Sequence, residues 1–313
     1  MARHYRTDLA RNSPVSTEIT GYAASALVYL HAVTGDAAYL DRARAAARFL
    51  IDNLRDGTMP FEVDPPSYAY FFDCGIVVRG LLAVSRATGD RPIRDAAAAL
   101  GRSMAADFAA GEGRYHPVVS LPDKRPLEYD AGRWSRSPGC YQLKAAMAWW
   151  DLWEATGDAA FRGLYGSARE MALGNYRDFL PGHQERAGVM DRLHAFLYFL
   201  EGLLPAAGEA RVDPVIAGGI ADVARLLRDI APEFARCDVY AQLLRLRLYA
   251  DRGGDAAANE AEALAGFQAA DGGFYFGRKH GVWLPHVSPV ATAFAIQALE
   301  MWRGGAPRRH ELI

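Results

Sequence analysis

Residues 19–50 read ITGYAASALVYLHAVTGDAAYLDRARAAARFL, and the Thr34-Gly35-Asp36 tripeptide near their centre decides the fold. The stretch before it is apolar on nearly every side, the pattern of a surrounded helix. The stretch after it has one apolar stripe and one charged face, the pattern of a helix half in solvent. Between them, Gly35 can end the first helix in the left-handed region and Asp36 can cap the next. The tripeptide returns as Thr88-Gly89-Asp90 and Thr156-Gly157-Asp158, with degenerate copies at Gly208-Glu209 and Gly254-Asp255 and a final Gly304-Gly305. The glycines at 35, 89, 157, 208, 254 and 304 are spaced by 54, 68, 51, 46 and 50 residues, which marks a repeat architecture.

Each repeat holds two unlike helices. The apolar kind is expected over 18–33, 73–87, 140–155, 191–204, 238–250 and 288–303; the amphipathic kind over 37–54, 91–110, 159–177, 212–230 and 256–269. Six inner and five outer helices predict an all-α (α/α)6 toroid of helical hairpins. Length alone suggests two domains; the repeat replaces that with one domain over 1–313. Only eight residues follow Gly305, too few for a sixth outer helix, and the N-terminal segment is expected to stand in for it. Strand signals are confined to the neighbourhoods of Tyr115–Val119 and Phe274–Phe276.

The composition narrows function. With 35 Lys+Arg against 37 Asp+Glu, the net charge of −2 gives no electrostatic drive toward nucleic acid. No run approaches the 18 apolar residues of a membrane span. The N-terminus has basic residues but no apolar signal core. Cys74, Cys140 and Cys237 are an odd, scattered set without a Cys-x-x-Cys, so a reducing, cytoplasmic setting is expected. The sequence calls for no cofactor and carries no signal of oligomeric state.

The connections are unequal. Inner-to-outer turns are short, whereas outer-to-inner loops are long: 55–72, 111–138, 178–190, 231–237 and 270–287. Long loops usually carry function, and all of these lead into inner-helix N-termini, where anionic groups are favoured. Glu18, Asp73, Asp191 and Asp238 open inner helices and suit general acid–base work. A first-turn carboxylate also gains about 0.3–1 kcal/mol from the helix dipole without any catalytic role. Glu62, Asp64, Glu128, Asp130 and Asp271 lie on the loops. His183, His194 and His286, with His116 beyond them, supply imidazoles that titrate near neutrality. Arg79, Lys144 and Arg245 interrupt apolar helices, so they either pair internally or, with Arg192 and Arg278, hold an anionic substituent. Tyr70, Trp134, Tyr275 and Trp283 stand out among many loop aromatics as ring-stacking surfaces; packing over the helices is the simpler use. The three cysteines fall in first turns and, with a histidine, could bind zinc, although their spacing follows no ligand pattern.

Over most of its length the chain resembles the α/α-toroid enzymes: six-hairpin glycosidases and uronyl hydrolases, N-acylglucosamine 2-epimerase relatives, and more distantly terpenoid cyclases and prenyltransferase β-subunits. Pro181-Gly182-His183-Gln184-Glu185 is similar to the P-G-H-x-x-E region of the sugar 2-epimerases, offset by one at the Glu. Trp283-Leu284-Pro285-His286 is similar to their W-x-P-H element. The resemblance implies that His183 and His286 are an acid–base pair moving a proton at C2. The N-terminal arginine motif of that family has no match. Gln268-Ala269-Ala270-Asp271-Gly272-Gly273-Phe274 resembles one terpenoid-type repeat, but no Asp-Asp pair exists to supply that branch's proton donor or metal motif.

The sequence therefore points to acid–base chemistry on a small anionic or N-acylated sugar: epimerisation, hydrolysis or lyase cleavage. A non-canonical terpenoid cyclase or prenyltransferase-like enzyme, and a non-catalytic toroid binding a glycan or a partner, are the alternatives.

Overall fold

The Thr-Gly-Asp turns form as the sequence requires. In the computed structural model, which describes residues 1–250, 253–305 and 309–313, Gly35, Gly89 and Gly157 have φ of 74°, 72° and 74° and return their N–H groups to His31, Ser85 and Trp153. The aspartates that follow accept from Ala38, Ile93 and Ala160 at the start of the next helix. The threonine closes the loop: Thr88 Oγ1 donates to the Val84 carbonyl and accepts from the Asp90 N–H. An added Cβ at any of the three glycines would meet nothing within 4 Å. The requirement for glycine is therefore conformational, not steric.

Eleven α-helices follow in the described residues: α1 Thr17–Thr34, α2 Ala37–Asp52, α3 Phe71–Thr88, α4 Arg91–Asp107, α5 Leu143–Thr156, α6 Ala159–Asn175, α7 Arg186–Leu203, α8 Asp213–Ile230, α9 Cys237–Tyr249, α10 Asp255–Ala265 and α11 Pro289–Trp302. They divide between two units. The first comprises Met1, Val15–Tyr176 and His310–Ile313; the second Ala2–Pro14 and Arg177–Arg309. In the first, α3 lies between α1 and α5, and α2, α4 and α6 back their partners. Every residue of α3 from Phe71 to Ser85 is buried. In the second, α9 lies between α7 and α11, with α8 against α7 and α10 against α9. The alternation of inner and outer helices is as expected.

Three departures bear on the site. Helix α7 begins at Arg186, so Asp191 is in its second turn and not at its N-terminus. Cys140 lies in a 3₁₀ turn, Cys140–Gln142, that precedes α5. The N-terminal segment is not helical. Its strands β1 (Tyr5–Arg6) and β2 (Arg11–Asn12) form a hairpin that adds to β8 (His286–Val287).

The long loops are also more ordered than their sequences suggest. β3 (Tyr68–Tyr70) pairs with β4 (Val118–Ser120), and β5 (Phe234–Arg236) with β6 (Gly277–Lys279), which continues to β7 (Val282–Trp283). At two or three residues each, these strands are too short to show an alternating pattern.

The basic residues inside apolar helices are matched internally. Arg79 Nε of α3 donates to Asp151 Oδ2 of α5 at 2.8 Å, with side chains 5% and 4% exposed. Arg245 of α9 is wholly buried, with Nη2 on Glu201 of α7, Nη1 on Gln297 of α11 and its guanidinium 4.1 Å above the Phe294 ring. Lys144 donates to the Ile313 carbonyl. Arg79 is therefore paired with Asp151, the internal use that the sequence left open beside the holding of an anionic substituent.

Removing one member of such a pair leaves a buried charge. Asp151→Ala is expected to lower stability by about 3–5 kcal/mol, and the Arg79→Met, Asp151→Ala double variant by less than the sum of the single changes. Urea unfolding measures both; strictly additive losses would show that the pair does not interact.

Candidate functional site

The second unit gathers ionisable groups around Arg236, the last residue of β5. Strand pairing fixes its backbone, with Arg236 opposite Gly277, and α9 begins at the next residue. Its guanidinium forks onto Asp238, Nε to Oδ1 at 3.0 Å and Nη2 to Oδ2 at 2.6 Å, while Nη1 reaches Asp191 Oδ1 at 2.5 Å. Arg236 and Asp238 are 5% and 4% exposed, whereas the Asp191 side chain is 51% exposed. One arginine thus ties a buried carboxylate to one that meets solvent. Burial alone would raise the Asp238 pKa, but the charge of Arg236, its hydrogen bonds and His194 together hold it below the ordinary carboxylate value.

His194 lies against this pair. Its Nδ1 is 2.7 Å from Gln242 Oε1 and 3.5 Å from Asp238 Oδ2, and its ring meets Tyr198 edge-on at 4.4 Å. Burial lowers the His194 pKa, and Asp238 opposes the shift. Lowering prevails because the Asp238 charge is already engaged by the arginine fork. Neutral His194 then donates Nδ1–H to Gln242.

An aromatic ring connects the arginine to a second histidine. The guanidinium carbon of Arg236 is 4.6 Å from the Phe276 centroid, and the His286 ring stacks on Phe276 at 5.1 Å and 26°. His4, carried on the N-terminal segment, approaches His286 at 5.3 Å. His286 is half-buried, and burial, then His4, then Arg6 push its pKa below the usual histidine value, against an opposing pull from Asp8. This cluster can hold a neutral imidazole and a solvent-facing carboxylate in fixed positions, the combination that general acid–base chemistry needs.

His183 does not join the cluster. Its Nδ1 accepts the Glu185 N–H at 2.9 Å, and its ring lies so close to Gly188 that a Cβ there would come within 2.3 Å. The same Nδ1 is also 3.3 Å from the Glu185 carbonyl, so this nitrogen is engaged by the loop backbone and Nε2 is the one left to face outward. Arg192 also turns to its own loop. Its Nε donates to the Phe179 carbonyl at 2.9 Å and its guanidinium lies 4.1 Å from the Phe179 ring. Arg278, Tyr275 and Trp283 do come together: the two rings stack at 5.2 Å and 16°, with Arg278 5.8 Å from Trp283.

The remaining candidates, Cys237 apart, lie in the first unit. Glu18 is half-buried in the first turn of α1. Asp73, 5% exposed, acts electrostatically on Tyr70 and Tyr141. Trp134 packs edge-on against Tyr141 at 4.9 Å. The cysteines are each fully buried, and burial pushes the Cys74 and Cys237 thiols up. Among the described residues no three His, Cys, Asp or Glu side chains gather as metal ligands. A groove of about 750 Å³ against α6, lined by Glu112, Arg114, Ser167 and Glu170 among others, contains none of the candidates.

Arg236, Gln242, Phe276 and His4 were not signalled by sequence. Arg236 sits two residues before Asp238, yet a lone arginine at a loop end has no pattern to betray it.

No protein-family model and no curated protein matches the chain. Solved structures match in fold. A sugar epimerase from a ruminal bacterium has a TM-score of 0.71 at 14% identity, covering 97% of this chain and 92% of its own. A cellobiose 2-epimerase from Spirochaeta thermophila gives 0.71 at 14%, over 93% and 87%. An unsaturated glucuronyl hydrolase specific for heparin gives 0.68 at 12%, over 97% and 91%. At these identities the likeness is one of fold, the α/α-toroid fold of helical hairpins. No helix among the described residues is long and apolar enough to cross a membrane.

His4, His194, His286 and His310 are all held below the ordinary value of 6.5, burial being the first cause in each. As the pH falls, the unfolded chain takes up these protons first. The stabilisation is therefore complete above the unfolded pKa of 6.5 and is lost as the pH falls toward the folded values. NMR is expected to show the His286 ring titrating below 6.5, and His4→Ala to move it upward. A wild-type titration at or above 6.5 would contradict the burial assigned to it.

Proposed function

We propose that the chain is a carbohydrate-active enzyme performing acid–base chemistry on a small, anionic or N-acylated sugar. One observation carries the reading: His286, neutral near pH 7, is linked through Phe276 to Arg236, which fixes the solvent-facing carboxylate of Asp191. A neutral imidazole with a depressed pKa can take a proton at physiological pH. His286 is assigned as the base. Asp191 is its carboxylate partner, and Asp238 is a positioning residue because both its oxygens are held by Arg236. His183, the partner implied by the sugar 2-epimerase resemblance, is assigned to hydrogen-bond the sugar through Nε2, since its Nδ1 is engaged by the Glu185 backbone. Arg278, Tyr275 and Trp283 are assigned to the sugar.

The like-folded proteins described as a sugar epimerase, a glucuronyl hydrolase and a D-mannose isomerase support the substrate class. The fold alone does not choose among their reactions. Proton movement at C2 uses the imidazoles; hydrolysis or lyase cleavage would instead use the carboxylates of Asp73, Asp191 or Glu18. The charged networks on the inner helices do not favour a terpenoid substrate, whose cations sit against aromatic and aliphatic walls. Residues 1–313 are proposed to act as a single domain.

Incubation of hexosamines, uronates and disaccharides in D₂O tests the reading. Deuterium is expected at C2 of at least one sugar, with the exchange rate reduced at least about 100-fold in His286→Ala. If the wild type exchanges no proton and cleaves no bond, yet binds these sugars as tightly as His286→Ala does, a non-catalytic glycan-binding role replaces catalysis.

A further inference from the structure

We propose that the first unit carries a binding site for an oxyanion-bearing sugar, formed by the rings of Phe61, Tyr68 and Tyr70 and the guanidinium of Arg136. The inference rests on the carbohydrate reading above and adds to it a place where the anionic group would be held and a residue, Arg136, that the sequence did not single out.

The aromatic surface is built by the strand. Residues 68 and 70 of β3 point to one face and Ala69, fully buried, to the other. Pairing of Tyr70 with Val118 fixes the register, and the Phe61 N–H donates to the Tyr68 carbonyl at 2.9 Å. The Phe61 ring then stacks on Tyr68 at 5.5 Å and 20° and meets Tyr70 at 5.1 Å. All three residues stay half-exposed. Sugar rings bind such surfaces through their apolar C–H faces.

Arg136 is held over these rings by a loop that closes on itself. Asp130 N–H donates to the Arg136 carbonyl at 3.2 Å, Arg136 N–H to the Arg133 carbonyl at 2.9 Å, and Ser137 Oγ to the Asp130 carbonyl at 2.8 Å. Tyr141, itself buried, donates its hydroxyl proton to the Ser137 carbonyl at 3.0 Å. The guanidinium lies 5.8 Å from the Tyr68 centroid and turns Nε toward Tyr70 Oη at 3.4 Å. Among the described residues it has no salt bridge. The nearby Asp130 acts on it through space, but that carboxylate pairs with Arg133 at 3.6 Å and accepts from the Gly132 N–H. Asp73 acts through space on Tyr70. A guanidinium fixed on aromatic faces, with its two Nη groups not engaged by a carboxylate, suits the planar fork that binds a carboxylate or sulfate.

Calorimetric titration with glucuronate, glucosamine 6-sulfate and glucose tests the site, using the wild type, Arg136→Ala, Arg136→Lys and Tyr68→Ala. Arg136→Ala is expected to weaken the two charged sugars by roughly 10-fold or more and to leave glucose unchanged. Arg136→Lys should recover part of that loss, and Tyr68→Ala should weaken all three. The comparison of uronate with sulfate identifies which oxyanion is preferred. Equal binding of the charged sugars by wild type and Arg136→Ala overturns the site while leaving the carbohydrate reading intact. A wild type that binds none of the sugars, yet binds inorganic sulfate through Arg136, overturns the carbohydrate reading and the sugar assignment with it.

Discussion

A single guanidinium organises the chemistry of the second unit. Arg236 satisfies Asp238 with two hydrogen bonds and Asp191 with a third, and it rests on Phe276, which stacks on His286. Each of these groups would be costly to bury alone. Together they are satisfied, and their geometry is transmitted outward to Asp191 and His286, the two that meet solvent. The placement of Arg236 depends on three-residue strand pairing across two long loops. The loops therefore carry more than candidate residues: the pairing of β5 with β6 fixes the backbone at Arg236, immediately before α9.

The same logic applies to the inner helices. A helix surrounded on all sides has no solvent-facing stripe for its charges, so Arg79, Lys144 and Arg245 find partners on other elements. These interactions favour one mutual packing of the helices in each unit. The turns contribute in a different way. At Gly35, Gly89 and Gly157 a left-handed glycine followed by a capping aspartate reverses the chain in a few residues. Functional variety is left to the long outer-to-inner loops.

That asymmetry explains what the sequence could reveal. Hairpins, their period and the inner or outer character of each helix follow from local rules, and α1–α6 lie close to their expected bounds. Asp191 was misplaced because Pro181–Met190 carries no capping signal and α7 starts earlier than the pattern suggested. Arg79 could not be assigned because its partner lies 72 residues away. His286 was legible through its local motif, whereas His4, Phe276 and Arg236 become its neighbours only through strand pairing. His183 was legible as a residue, but the contact of its Nδ1 with the Glu185 backbone two residues away was not.

A sugar is proposed to lie against His286 and Asp191. The most direct measurement is a crystal structure of the protein with a turned-over sugar or a slow analogue bound. A sugar carbon or hydroxyl within hydrogen-bonding or proton-transfer reach of both the His286 imidazole and the Asp191 carboxylate, roughly 2.6–3.5 Å, is the expected result. A sugar bound productively with neither residue in its contact shell would contradict it.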